Sequence, residues 1–313
     1  MRVSVIVPLF NKGPYVGRCL DSIAAQTYSD FEIIVVDDGS TDEGPSVVAS
    51  RTSPRLRLIR QKNAGPGAAR NRGAAEARGE LLAFLDADDA WHPEYLESSV
   101  VALDRCGQQV ASVTSGYVEM PHGRSALEIC GPRGIREGVH RITPATAPIS
   151  LVHMLAYMMP CSTVLPASHL RRFGGFYEGW SYAEDATLWL RILLNEPVYF
   201  QLHPLVYVHR DASALSANLP GARPVEAFLR DPEAVTRYTP PELQNLLRRF
   251  YAIRAGKTAA VLGYWGCTEQ ARQVFRRFVS PRDWNLPFVA AGAIGCTPVA
   301  TILGKLWRAA VAR

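Results

Sequence analysis

Short apolar runs alternate with amphipathic stretches through the first third of the chain. Val3-Ser-Val-Ile-Val-Pro8, Phe31-Glu-Ile-Ile-Val-Val36, Leu56–Arg60 and Leu81–Leu85 are brief β-branched or apolar runs, the pattern of strands buried in a sheet. Helical spacings fall between them. Pro14 suits a first helical position, and Tyr15, Val16, Cys19, Leu20 and Ile23 follow a helical period. A short helix runs through Val47 and Val48. A longer one opens after Asn63-Ala-Gly-Pro-Gly67 and continues to about Arg78, where Gly79 ends it. Strand and helix alternating with short links predict a parallel sheet covered on both faces.

After a helix over Pro93–Arg105 the pattern loosens. Val110–Met120 reads as a strand, and Pro121–Pro148, rich in Gly, Pro and Arg, as a long functional loop. Thr163–Leu165 reads as an edge strand, followed by a short helix and the turn Phe173-Gly-Gly-Phe-Tyr177. An amphipathic helix over Ala186–Leu194 precedes a strand over Val198–Val208 that ends at His209. Beyond Pro241 the spacing is helical: Leu243, Leu246, Leu247 and Phe250 share one face, as do Val274, Phe275 and Phe278. The organisation expected is an α/β domain over residues 1–215, with halves at 1–105 and 106–215, and a helical region over 216–313.

Composition narrows the class. With 313 residues, 48% hydrophobic and 20% charged, the chain is globular and long enough for a substantial core. Its net charge of +5 is uneven: Pro241–Arg313 holds 11 Lys/Arg against 3 Asp/Glu, which leaves residues 1–240 at −3. A basic end of this kind suits anionic lipid or an anionic acceptor, or is the solvated face of ordinary helices. Trp284–Gly304 contains no charged residue and is long enough to cross a bilayer. Pro287 and Pro298 predict a shallow or broken membrane segment instead, or one packed on the protein's own helices. The six cysteines show no C-x-x-C pair and no metal-ligand spacing, so reduced thiols and a cytoplasmic location are expected. The chain opens on strand residues, which predicts no signal peptide.

Ligands of parallel sheets sit beyond the carboxyl ends of the strands. Here those ends carry Pro8-Leu-Phe-Asn-Lys12, Asp37-Asp38, Asn63-Ala-Gly and Asp86-Ala-Asp-Asp89, so all four converge on one rim. Asp86, Asp88 and Asp89 repel one another unless a cation compensates them, and a hard divalent ion bridging to phosphate oxygens does so. An acidic turn capping the next helix accounts for one aspartate more readily than for three. Gly65-Pro-Gly67 is not a dinucleotide fingerprint, because Arg70 stands where the third glycine belongs. Arg70, on the first turn of a helix, is placed to meet a phosphate. Asp185 precedes a helix, where a capping role alone would account for it. His153, His169 and His203 read as structural.

Together these stretches resemble the family 2 glycosyltransferases, inverting enzymes of the GT-A fold. The matching residues are Val3–Lys12, Val36-Asp-Asp-Gly-Ser-Thr-Asp42, Asn63–Gly73, Leu85-Asp-Ala-Asp-Asp89, and Phe173–Tyr177 leading to Glu184-Asp185, covering about residues 1–210. The resemblance implies a doubly wound mixed sheet with a Rossmann-like nucleotide-binding half and a helical C-terminal appendage. It also implies a nucleotide-sugar donor, usually a UDP-sugar, held with Mn²⁺ or Mg²⁺. Pro8 and Phe10 would lie against the base, and Asp38 would accept from the uracil imide. Arg70 would touch base or diphosphate, and Asp86 ribose or the shell of the ion. Asp88 matches the metal ligand, and Asp89 an acidic position that in some members shares that role. Asp185 matches the general base, with Glu184 as a structural partner. His209, ahead of Ser213 and Ser216, matches a late histidine near metal or diphosphate.

The activity implied is transfer of sugar to a hydroxyl of a carbohydrate or lipid-linked acceptor, in bacterial cell-surface polysaccharide or glycolipid synthesis. No nucleic-acid partner is implied, and the place of work would be the cytoplasm or the inner face of the plasma membrane. A catalytically silent nucleotide-sugar-binding or scaffold protein of the same fold is the alternative, opposed by the intact Asp38, Asp86, Asp88 and Asp185. A nucleotidyltransferase is the other, but the N-terminal region has no G-x-G-[ST]-R phosphate loop.

Overall fold

A computed structural model describes residues 2–212 and 223–311. In chain order the first elements are β1 (Val3–Leu9), α1 (Gly13–Ala24), β2 (Phe31–Asp37), α2 (Gly44–Ala49), β3 (Leu56–Arg60), α3 (Pro66–Ala75) and β4 (Leu81–Phe84). They are the predicted strand–helix alternation. Every residue of β2 and β4 is buried, as their unbroken apolar runs require. The elements β5 (Ala90–Trp91), α4 (Tyr95–Cys106), β6 (Val113–Met120), β7 (Arg124–Ser125), α5 (Ala126–Cys130), β8 (Gly138–His140) and α6 (Pro148–Tyr157) come next. Then follow β9 (Thr163–Pro166), α7 (Ala167–Arg172), α8 (Glu184–Leu193) and β10 (Val198–His209).

The strands form one sheet in the order β3-β2-β1-β4-β9-β6-β10-β5, with β7 on β6 and β8 on β10. Its β3-β2-β1-β4 half is parallel, with Val5 opposite both Ile33 and Ala83. β9 runs antiparallel to both neighbours, β4 and β6, so the whole sheet is mixed. Two sequence expectations change here. Thr163–Leu165 is interior, not an edge: all three residues are buried, and Thr163 shares a 2.9 Å hydroxyl hydrogen bond with Thr114 of β6. Shortness made it read as an edge, whereas its burial on both sides is what fixes its place. Within Pro121–Pro148, expected as loop, lie β7, α5 and β8. A capping box starts α5, Ser125 Oγ accepting from the Glu128 N–H while the Glu128 carboxylate accepts from the Ser125 N–H.

The chain divides into two compact units, Met1–Ile142 with His153–Ala217, and Thr143–Val152 with Asn218–Arg313. The sequence had put one boundary at 215/216 and had not separated residues 143–152. The second unit is helical, with α9 (Ala227–Arg230), α10 (Glu233–Thr236), α11 (Gln244–Tyr264), α12 (Thr268–Phe278), α13 (Val289–Gly295) and α14 (Pro298–Val311). Phe228, Phe250 and Tyr251 pack ring against ring in its core. No helix among the described residues is long and apolar enough to cross a membrane.

Candidate active site

The rim beyond the carboxyl ends of β1, β2, β3 and β4 is built by loops that fasten one another. Asn11, in the left-handed region at φ 49, follows β1, and its side-chain oxygen accepts from the Thr41 N–H at 2.8 Å. The Asn11 N–H in turn donates to Ser40 Oγ at 3.1 Å. Asp42 accepts from the Gly13 N–H at 2.7 Å and the Gly44 N–H at 3.0 Å, satisfying orphan donors at the starts of α1 and α2. Asp38, buried at the end of β2, accepts from Gln61 Nε2 at 2.8 Å and from the N–H groups of Ala64 and Gly65 at 2.9 Å each. A carboxylate has about four lone-pair sites, so one remains for a ligand. Phe10 stands on this rim 46% exposed, a flat apolar face of the kind a base stacks on, and Pro8 lies on β1 just before it.

Arg70 is the hub. Only 4% exposed, it donates through Nη1 to Glu184 Oε1 and through Nη2 to Asp86 Oδ1, each at 2.7 Å, and its guanidinium lies 5.3 Å from the Phe176 ring centre. The sequence placed Arg70 against a base or phosphate; the structure has it bridging two carboxylates. Glu184 and Asp185 form the first turn of α8, where the helix N-terminus favours negative charge. Burial, reinforced by Asp185, raises the Glu184 carboxyl to about 7 despite Arg70. Burial also raises Asp185, with Arg70 opposing the shift.

What brings α8 to α3 is a turn clamped by Asn71. Asn71 Oδ1 accepts from the Phe176 N–H at 2.9 Å while Nδ2 donates to the Phe176 carbonyl at 2.9 Å and to Glu178 Oε1 at 2.7 Å. Gly67 completes the fit, because a Cβ there would collide with the Tyr177 carbonyl oxygen. Gly67 therefore serves close packing, while Gly65, at φ 92 with open space around it, serves the left-handed backbone that opens α3. Asn71 and Asp42 lie inside the motifs recognised in the sequence, but only the paired backbone they hold reveals their work.

The acidic turn is divided in three. Asp86 faces Arg70. Asp88, 8% exposed, accepts from Lys12 Nζ at 2.6 Å, and the same ammonium donates to the Ala212 carbonyl at 2.6 Å. Burial and the neighbouring Asp86 push the Asp88 carboxyl up, and Lys12 only partly offsets them. Asp89 turns inward, 5% exposed, with Oδ1 accepting from the His209 N–H at 2.8 Å. Burial, then Asp86 and Asp88, push it well above the usual carboxylate range. Burial, then Arg18, lowers the pKa of the His209 ring, against the pull of Asp211, which lies 4.0 Å from its Nδ1. The main chain of His209 touches Asp89, and Ser213 and Ser216 lie outside the described residues.

Among the described residues no three His, Cys, Asp or Glu side chains converge as a closed metal cage. The chemistry of the donor set still fits a hard cation. Its ligand atoms are carboxylate oxygens, Asp88 already carries a cation in Lys12, and the Asp88 and Asp89 carboxyls are pushed up first by burial and then by their acidic neighbours, both of which a cation would offset. Mg²⁺-type sites commonly use one or two carboxylates and take the remaining oxygens from substrate phosphates and water.

Residues 4–157 match glycosyl transferase family 2. A glycosyltransferase of Rickettsia felis, itself uncharacterized, is 30% identical over 201 residues, which is 63% of this chain and 32% of that protein. The chain thus spans about a third of the length of the first curated relatives it matches. Among solved structures, Staphylococcus aureus TarS 1–349 in complex with UDP-GlcNAc superposes with a TM-score of 0.62 at 20% identity, covering 99% of this chain and 92% of that one. The mannosyltransferase PcManGT of Pyrobaculum calidifontis, in complex with GDP-Man and Mn²⁺, gives 0.52 at 20% identity over 94% and 86% of the two chains. The mixed sheet with its helices is that of these GT-A neighbours, and residues 4–157, just under half of the chain, are its glycosyl transferase family 2 part.

Proposed function

We propose that the protein is an inverting glycosyltransferase that moves a sugar from a UDP-sugar to an acceptor hydroxyl, assisted by Mn²⁺ or Mg²⁺ at Asp88, in cell-surface polysaccharide or glycolipid synthesis. The observation that carries this reading is the Arg70 bridge. It ties up Asp86 and Glu184 and leaves the adjacent Asp185, on the same rigid helix start, to face an acceptor. The complexes of TarS with UDP-GlcNAc and of PcManGT with GDP-Man and Mn²⁺ support a nucleotide-sugar donor.

Each residue then has a task. Phe10 and Pro8 offer the base an apolar face, and Asp38 gives the imide its remaining lone pair while holding the Ala64–Gly65 backbone. Asp88 supplies a ligand oxygen, and Asp89, fastened to the chain at His209, keeps the turn that carries Asp88 in place. A divalent ion, when held there, would supply the charge that offsets the one growing on the departing diphosphate. Asp185 takes the proton of the acceptor hydroxyl as it attacks, and burial makes this carboxylate a stronger base than one in water.

The test is transfer from a panel of nucleotide sugars, with the anomeric configuration of the product read by NMR. Asp185→Asn should keep UDP affinity, because asparagine still suits a helix start, and lose about 10²–10⁴ in transfer rate. Retained anomeric configuration, or transfer within a few-fold of wild type in Asp185→Asn, overturns the reading.

A further inference from the structure

In α13 and α14 the usual arrangement of helix faces is inverted. Apart from the buried Val289, the residues turned inward are small: a Cβ at Gly295 or Gly304 would collide with the backbone of Ala259 or Tyr264, and on the facing α11 one at Gly256 or Gly263 would collide with that of Phe288 or Gly295. The large apolar side chains point out. Trp284 is 54% exposed, Phe288 46%, Ile294 53%, Val299 54%, Ile302 58% and Leu303 57%. Water gives no reason for this distribution, since it hydrates the side chains best able to build a core and buries those least able. In a lipid surrounding it is the expected one, with small residues letting backbones approach and large apolar ones facing outward. Phe288 adds to this: at φ 66 its backbone is in the left-handed region, unusual for a bulky residue, and its ring remains in solvent.

The charge around this face is mostly of one sign. Among the described side chains of α12 to residue 305 stand Arg272, Arg276, Arg277, Arg282 and Lys305; of the acids, Glu269 pairs with Arg272 at 3.6 Å and Asp283 is buried and paired with Arg248 at 2.9 Å. Arg272 donates to the Cys296 carbonyl at 2.9 Å, setting α12 against the α13–α14 junction, and Arg276 follows one turn later on the same helix. Arg282 and Lys305, both exposed, flank the two ends of the uncharged run. With α13 at 7 residues and α14 at 14, neither helix spans a bilayer.

We infer that the outer face of α13 and α14, with Trp284 and Phe288, docks in the plane of an anionic lipid surface, its apolar side chains among the acyl chains and its basic rim on the headgroups. A tryptophan at one end suits the headgroup boundary. The inference is independent of the catalytic reading.

Co-sedimentation of the full chain with vesicles of phosphatidylcholine, and of phosphatidylcholine mixed with phosphatidylglycerol, tests it. Wild type should bind the mixed vesicles and bind less as salt rises. Ile294→Ser with Ile302→Ser and Leu303→Ser should weaken binding by about a hundredfold or more, each lost side chain costing roughly tenfold. Arg276→Gln with Arg282→Gln and Lys305→Gln should lose about a hundredfold on the anionic vesicles alone. All six positions are exposed, so circular dichroism and melting should stay as in wild type. Absence of wild-type binding, or equal binding by the serine variant, overturns the inference. A dimer in sedimentation equilibrium that the serine variant dissolves, without vesicle binding, assigns the face to a second copy of the chain.

Discussion

At the scale of single residues, the rim works by assigning its carboxylates to different partners. Asp86 and Glu184 share Arg70, Asp88 has Lys12, and Asp89 has a backbone N–H. Glu184 shows the cost of such an arrangement. Burial outweighs the attraction of Arg70, so its folded-state carboxyl is raised from 4.5 to about 7. A raised acid binds more protons folded than unfolded. Its contribution therefore favours the native state at low pH and is lost as pH climbs from about 4.5 to about 7. Glu184→Gln removes that titration and keeps a side chain that can accept from Arg70. Denaturant unfolding of both proteins at several pH values should show wild type losing stability relative to the variant across this window. A difference that is flat, or of opposite slope, would mean that Glu184 stays ionised throughout.

At the scale of elements, the N-terminal half was legible because each strand and helix carries its own signal. Apolar runs mark β1 through β4 within a residue, and prolines mark the starts of α1 and α3, although α3 stops at Ala75, short of the Gly79 expected to end it. What failed were elements whose identity is tertiary. β9 carries only four residues, and nothing local distinguishes an interior strand from an edge at that length. β5 has two residues and exists because Trp91 and Ala90 meet Val206 and Tyr207 of β10. The α3–α8 contact belongs to the same class: the spacing excluded a dinucleotide fingerprint at Gly65-Pro-Gly67 but could not show that the hydrogen of Gly67 faces the Tyr177 carbonyl. Gly67→Ala must push that carbonyl away, and with it the chain leading to Glu184. We expect a loss of about 1–3 kcal/mol in denaturant unfolding, the usual range for overpacking, together with reduced transfer activity. An alanine variant of wild-type stability and activity would show that the turn has slack to absorb the added carbon.

At the scale of the whole molecule, the sequence showed which residues share the rim but not which of them pair. Arg70 and Glu184 are 114 positions apart and Lys12 and Asp88 are 76, separations over which residue type alone cannot fix a partner. The Lys12–Asp88 pair matters most for what the folded protein does when a donor arrives. Before binding, the ammonium satisfies Asp88. On the proposed reading a divalent ion brought with a nucleoside diphosphate would compete for the same oxygen, so metal and nucleotide should stabilise the fold together more than either alone. At a hundredfold excess over its dissociation constant a ligand adds about 2.7 kcal/mol to unfolding, readily seen as a rise in melting temperature. Thermal melts of wild type should therefore rise modestly with UDP and further when Mn²⁺ is added. In Asp88→Asn the proposed base contacts of Phe10 and Asp38 would be untouched, so the rise with UDP alone should persist while the Mn²⁺ increment disappears. An unchanged Mn²⁺ increment in Asp88→Asn would move the ion away from Asp88, and equal shifts with UDP and with an unrelated nucleotide would remove the uracil contact from Asp38.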